Sequence, residues 1–264
     1  MRLEGKTALL TGATGGLGQA IARALAERGT SLVLSARKPE ALEELARALS
    51  GEHRVTVADL GEAGAAERLV KDAGEVDVLV ANAALPAGGR LERFAQEDLT
   101  QALRVNLEAP IKMARDLVPA MRERGSGHLV FVSSLQGKVA FANSSVYTAT
   151  KFGLRGFALA LRDELWGSGV GVSLILPGFI REAGMFADSG AKAPPGLGTS
   201  SPDEVGEGVA VAIERDRAEV QVAPLLQRLG ASFAHRRPHL ASRITRRSAS
   251  QIADRVSEGQ AGKR

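Results

Sequence analysis

The sequence contains no cysteine. That excludes disulfides, thiolate metal sites and a cysteine nucleophile, and it fits a reducing compartment. Aromatic residues make up only 4% of the 264 residues, with a single tyrosine and a single tryptophan. The core must therefore rest on Ala, Val, Leu and Ile. No apolar run approaches the roughly 20 residues that span a bilayer. The opening residues, MRLEGK, are polar and lead directly into a strand pattern, without an apolar leader core. A cytoplasmic location is the expectation. The four histidines, His53, His128, His235 and His239, show no spacing with acids that suggests a metal.

What is present is ordinary for a folded chain: 44% hydrophobic and 24% charged residues, enough for one large α/β domain. The net charge of +4 is unevenly spread. Residues 225–264 hold nine Lys/Arg against Asp254 and Glu258, a local +7, which leaves the body at −3.

Short aliphatic runs alternate with Ala/Leu/Glu/Arg-rich segments. Strands are expected at 8–10, 32–34, 55–57, 76–80, 129–132, 170–176 and 219–222. Helices are expected at 17–28, 40–49, 62–73, 97–123, 145–166 and 203–214. Strict alternation with near-continuous apolar strands predicts an α/β fold: a parallel sheet of about seven strands, covered by helices on both faces. Residues 183–202 are rich in Gly, Pro, Ser and Ala and follow a strand end. They read as a mobile loop over a ligand crevice.

The turn after the first strand is Thr11-Gly12-Ala13-Thr14-Gly15-Gly16-Leu17-Gly18. Gly12 permits a sharp turn, Gly16 a close backbone approach to a pyrophosphate, and Gly18 tight helix–strand packing. The following helix offers free N–H groups to phosphates. The second strand ends Ser35-Ala36-Arg37-Lys38. An NAD-binding site usually has a carboxylate there, for the ribose 2′-hydroxyl. Arg37 would instead pair with a 2′-phosphate, with Ser35 as a second donor. The bland alternative is a surface arginine starting a helix.

Tyr147 and Lys151 stand four apart on a predicted helix, hence on one face. An ammonium near a phenol favours the phenolate and lowers its pKa, which would make a proton donor usable near neutrality. Tyr and Lys at this spacing also occur as plain surface packing. Ser134 and Ser133, at the end of the fifth strand, compete as hydrogen-bond donors to a substrate carbonyl. Asn106 is an unusual polar residue inside the predicted 97–123 helix; a solvent-facing role is the alternative.

The Thr-Gly-x-x-x-Gly-x-Gly turn, together with Asn106, Ser134, Tyr147 and Lys151 in order and spacing, resembles the classical short-chain dehydrogenase/reductase family over roughly residues 5–225. The resemblance implies a Rossmann-type doubly wound sheet and one catalytic domain over 1–225. Residues 226–264 then form a basic extension, partly helical or disordered. It implies that Asn106, Ser134, Tyr147 and Lys151 are catalytic, with Ser134 rather than Ser133 facing the substrate. Asn106 would distort its helix and hold a water linking Lys151 to solvent. Cofactor contacts are implied at Gly12, Thr14, Gly16, Leu17, Gly18, Ser35, Arg37, Asp59, Leu60, Asn82, Tyr147, Lys151, Pro177, Gly178 and Ile180. Asp59 would bind the adenine amino group, although a turn or helix-capping Asp reads nearly as well from that segment.

The activity expected is hydride transfer between NADP(H), rather than NAD(H), and a carbonyl or secondary alcohol. A catalytically idle NADP-binding sensor on the same fold is the alternative. Phe141, Phe179, Met185 and Phe186 suggest an apolar substrate body, or else anchor the loop. Two positions depart from the family pattern: Ala84 replaces a usual glycine, and Glu182 a usual threonine. A homodimer or homotetramer is expected, with a small-molecule substrate and no nucleic-acid partner. Leu225, Leu226, Leu229 and Phe233 recur at helical spacing ahead of the arginines. That suits a subunit contact or a peripheral contact with an anionic membrane.

Overall fold

The computed structural model describes residues 1–188, 190, 193–194 and 196–243. The 183–202 stretch, expected to be a loop, carries a short helix, α7 (Gly184–Asp188); part of that stretch and the end expected to be disordered from about Ser257 lie outside the described residues. Seven strands, β1 (Thr7–Thr11), β2 (Ser31–Ala36), β3 (His53–Val57), β4 (Val78–Ala81), β5 (Gly127–Val132), β6 (Val170–Pro177) and β7 (Glu219–Val222), form one sheet. Its order is β3-β2-β1-β4-β5-β6-β7, and every pairing is parallel.

Successive strand residues point to opposite faces, and both faces are apolar. Leu9, Leu79, Leu129, Phe131 and Leu174 meet α3 (Ala65–Ala73), α5 (Ala109–Glu123) and α6 (Ser145–Glu164). Their neighbours Ala8, Leu10, Val78, Val80, Val130 and Ile175 meet α1 (Gly16–Ala26), α2 (Pro39–Ala48) and α8 (Pro202–Glu214). The alternation read from the sequence is thus a doubly wound sheet, with two cores built almost wholly from aliphatic side chains.

The stretch expected as one long helix is divided. α4 (Gln96–Leu103) passes into a π turn at Arg104–Glu108, and α5 follows. The Ala109 N–H donates to the Arg104 carbonyl, five residues back. Two local causes coincide. Pro110 has no N–H to return to the Asn106 carbonyl, as an α-helix would require. The Asn106 side chain, only 1% exposed, is held elsewhere: its Oδ1 accepts from Leu85 N at 2.6 Å, and its Nδ2 donates to Leu85 O at 2.9 Å. Asn106 therefore does not face solvent. It fastens the helix to the segment that follows β4.

At the amino edge of the sheet, His128 is buried with Nε2 2.8 Å from Ser173 Oγ. Ser173 Oγ in turn donates to Arg217 O at 2.6 Å. Burial pushes the imidazole down to about 4, with Asp216 opposing more weakly. An unfolded histidine titrates near 6.5. Between those values the unfolded chain binds the proton and the folded one does not, so stability is present above about 6.5 and is lost as pH falls toward 4. The expected loss is about 3 kcal/mol. Urea midpoints at pH 7 and pH 4.5 check it. His128→Gln should remove most of the difference, and an undiminished slope in that variant would assign it to other groups.

Candidate active site

β1, β4, β5 and β6 end side by side, and their carboxyl ends open into a cleft of about 1830 Å³. All the residues expected to hold cofactor or substrate line it except Asn106, whose side chain is bonded to Leu85, a lining residue. The cleft runs from Arg37 and Asp59, past the glycine turn, to Asn82, Ser134 and Tyr147.

The glycine turn is built around Thr11 and Asn82. The backbone N–H groups of Asn82 and Ala83 both donate to Thr11 Oγ1 at 3.1 Å. Asn82 Nδ2 donates to the carbonyls of Thr11 and Gly12 at 3.0 and 3.2 Å. This staples the end of β4 to the end of β1. Gly12 has φ +64, and a Cβ there would lie 2.9 Å from Ala83 Cα. A Cβ at Gly18 would collide with the Gly12 carbonyl, so close packing accounts for both residues. Gly16 differs from its expected setting: its open side faces the Ala183 methyl, on the segment that crosses the turn. α1 begins without a side-chain cap or an acid in its first turn, which leaves its first N–H groups for an anion. Ala84 is not in the left-handed region, so the usual glycine is not needed there.

Ser35 is buried at the end of β2, whereas Arg37 is exposed and makes no hydrogen bond or ion pair with a described residue. Asp59 Oδ1 accepts from Gly61 N at 2.8 Å, the local turn that its segment allowed. Its side chain still borders the cleft.

The two serines at the end of β5 separate cleanly. Ser133 is buried and its Oγ donates to the Lys151 carbonyl at 3.2 Å, tying β5 to α6. Ser134 Oγ accepts from Gln136 N at 3.1 Å and lies near enough to the Tyr147 phenol to favour its ionised form. Tyr147 sits in the first turn of α6, half-buried, its backbone N–H held by Ala87 O at 3.2 Å. Lys151, 2% exposed, lies one turn on. Its Nζ donates to Val132 O at 3.1 Å and sits 5.5 Å from the Tyr147 ring centroid.

The electrostatics correct the simplest reading of this pair. Burial pushes the Tyr147 phenol up to about 12, with the Ser134 hydroxyl opposing it. Burial pushes Lys151 down to about 8. Burial outweighs the pull of the ammonium on the phenol, and Lys151 Nζ is itself directed at the Val132 carbonyl. The frame around the pair is stiff. Glu219 takes Lys138 Nζ at 2.7 Å and Arg155 Nε at 2.8 Å, joining β7 to α6 and to the segment after Ser134.

Glu182 turns away from the cleft. It adopts φ +70 and pairs with Arg181 Nε at 2.8 Å in an exposed contact. The carboxylate is therefore no wall of the nicotinamide end. Phe141, Phe179, Met185 and Phe186 all line the cleft, with the Phe179 and Phe186 rings 4.7 Å apart.

α9 (Leu225–Arg236) closes one side of the cleft through Leu226, Gln227, Gly230 and Phe233. Gln227, 7% exposed, is the strut. Its Oε1 accepts from Phe179 N at 3.1 Å, and its Nε2 donates to the carbonyls of Leu197 and Gly198 at 3.2 and 2.8 Å. A Cβ at Gly178 would strike Gln227 Oε1. Sequence reading did not single out Gln227; the available signal was an amide between Leu226 and Leu229 on an otherwise apolar stripe. Among the described residues no group of three His, Asp or Glu could hold a metal.

The sequence profile described as short chain dehydrogenase matches residues 6–194. The chain belongs to the short-chain dehydrogenase family. The ketoacyl reductase HetN of Nostoc sp. is 37% identical over 227 residues, 83% of this chain and 79% of that protein. The 3-oxoacyl-(acyl-carrier-protein) reductase FabG of Rickettsia conorii is 31% identical over 179 residues, 68% of this chain and 74% of that one. Among solved structures, a metagenomic short-chain oxidoreductase in complex with NADP superimposes with a TM-score of 0.71 at 34% identity. That match covers 85% of this chain and 99% of the other. Membership of this family makes the chain an oxidoreductase on a nucleotide-binding Rossmann fold.

Proposed function

We propose that this oxidoreductase uses NADP(H) and reduces a carbonyl group carried on an apolar body, or oxidises the corresponding secondary alcohol. The observation that carries the reading is Tyr147, with Ser134 beside it and Lys151 behind it, in the same cleft as the glycine turn. The residues present fit the dinucleotide. The uncapped start of α1 suits the pyrophosphate, and Asp59 and Leu60 flank the adenine end. Arg37, without a partner among the described residues, suits a 2′-phosphate, which a carboxylate would repel. Asn82, Pro177, Gly178 and Ile180 border the opposite end. A solved relative that binds NADP is consistent with this.

The bound cofactor supplies hydride. Ser134 donates a hydrogen bond to the carbonyl oxygen as negative charge develops there. Tyr147 delivers the proton to that oxygen, and its raised pKa keeps it protonated at every working pH. Lys151 places positive charge behind the phenol. Asn106 holds the chain after β4 in register with this group. An idle sensor has no use for a phenol and a serine hydroxyl side by side in the cleft.

Initial rates with NADPH and NADH over a panel of aliphatic and aryl ketones test the reading. Oxidation of NADPH, with NADH at least tenfold less effective by KM, is expected. No turnover with either cofactor on any ketone would sink it. α9 also exposes Leu225, Leu229 and Phe233, with Arg228 and Arg236 beside them, which supports peripheral contact with an anionic membrane. Co-sedimentation with anionic vesicles, run on the same protein, checks this; protein that stays in the supernatant removes it.

A further inference from the structure

Gln136 is one of the polar side chains lining the cleft to which the steps above give no task. Gln136 lies two residues after Ser134, in the short 3₁₀ turn Leu135–Gly137, and its side chain borders the cleft. Two hydroxyls orient its amide. Ser144 Oγ donates to Gln136 Oε1 at 2.7 Å, and Thr148 Oγ1 donates to the same oxygen at 3.2 Å. Both donors belong to buried residues, 4% and 8% exposed, at the start of α6 on either side of Tyr147. An amide oxygen offers two acceptor positions, and here both are used. The two N–H groups on Nε2 have no hydrogen-bond partner among the described residues.

An amide held by its oxygen, beside Ser134 and between two residues that bracket Tyr147, presents an ordered donor to whatever fills the cleft. The lining opposite is largely apolar: Phe141, Phe179, Met185, Phe186 and Leu226. A substrate that is only a ketone on a hydrocarbon body would leave this donor without a partner on burial, at a cost. We infer that Gln136 Nε2 recognises a second acceptor oxygen of the substrate, separate from the carbonyl bound by Ser134 and Tyr147. The substrate class is a carbonyl compound with a further carbonyl, ester or thioester oxygen near the reacting carbon. This rests on the reductase reading and narrows it. Gln136 is a specificity-determining residue: it touches substrate, but no proton or hydride passes through it.

The test compares two probes on the full chain with saturating NADPH: acetoacetyl-N-acetylcysteamine, a 3-oxo thioester, and an unbranched monoketone of equal length. Two variants are used. Gln136→Leu removes the donor. Gln136→Glu keeps oxygens for Ser144 and Thr148, so that packing is preserved while donation to a substrate oxygen is lost. Both variants should raise KM for the 3-oxo thioester about tenfold, with kcat altered less than threefold. Monoketone kinetics should stay within twofold of wild type. Parallel losses on both probes would mean a structural role and overturn the inference, as would unchanged kinetics on both. If wild type reduces monoketones but ignores the thioester, the inference fails while the reductase reading stands. If wild type reduces neither probe nor any ketone of the panel, the reductase reading fails, and the inference with it.

Discussion

Tyr147→Phe lowers ketone turnover with NADPH about a thousandfold, within the range that a positioned proton donor supplies. The change removes one oxygen and leaves the ring in place. The anchors around the ring are untouched: the Tyr147 N–H on Ala87 O, and Ser133 and Lys151 on the backbone of the neighbouring elements. Thermal stability and NADPH affinity should therefore be retained, and Ser134 alone should sustain a residual rate through its hydrogen bond to the developing oxyanion. Stopped assays at high enzyme concentration, with NADPH fluorescence titration beside them, separate loss of chemistry from loss of binding. Turnover within tenfold of wild type would remove Tyr147 from the proton step. The pH dependence has a definite sign. Tyr147, pushed up to about 12, stays a phenol throughout, so the descending limb belongs to Lys151. That ammonium, pushed down to about 8, loses its charge as pH rises past this value. The reductive kcat/KM should accordingly be level below about 8 and fall above it. A profile level to pH 10 would show that the charge on Lys151 is not used.

The second large effect concerns cofactor choice. Arg37→Ala should raise KM for NADPH by about 10- to 100-fold, the equivalent of the 1.5–3 kcal/mol that a hydrogen bond to a charged group contributes. KM for NADH should change less than threefold. The asymmetry arises because Arg37 has no structural partner to lose: it is exposed at the end of β2, and no described residue pairs with it. Arg37→Asp should go further and invert the preference, since a carboxylate accepts from a ribose hydroxyl and repels a phosphate. Steady-state kinetics with both cofactors check the pair of variants. Equal losses for NADPH and NADH would place Arg37 outside the phosphate subsite.

The features legible in the sequence were those carried by short spacings. Apolar runs and helical periodicity located all seven strands, and the glycine turn and the Tyr147–Lys151 spacing located the cleft. The illegible features depend on contacts between distant segments. The distortion at Asn106 was implied by the family resemblance, but periodicity alone does not show it, because its cause is Leu85, 21 residues away, together with Pro110, which has no N–H to donate. Ser133 and Ser134 are equivalent as letters; the Lys151 carbonyl separates them. For Glu182 the sequence shows only that an acid replaces a usual threonine, because sequence gives position but not direction. Its φ of +70 and its pairing with Arg181 turn it outward. The expected lowering of the Tyr147 pKa left out burial, which acts on both members of the pair.

The amide of Gln227 has a mechanical consequence. One side chain grips the backbone at Phe179, Leu197 and Gly198 together. The chain leaving β6, the return of the crossing loop and α9 therefore travel as a single panel rather than as independent flaps. A bulky ligand can gain room only by swinging the whole panel or by breaking all three bonds. The ceiling on ligand size is thus set by how firmly α9 is seated, and widening the enzyme's range would begin at Gln227 rather than among the aromatic residues that line the cleft.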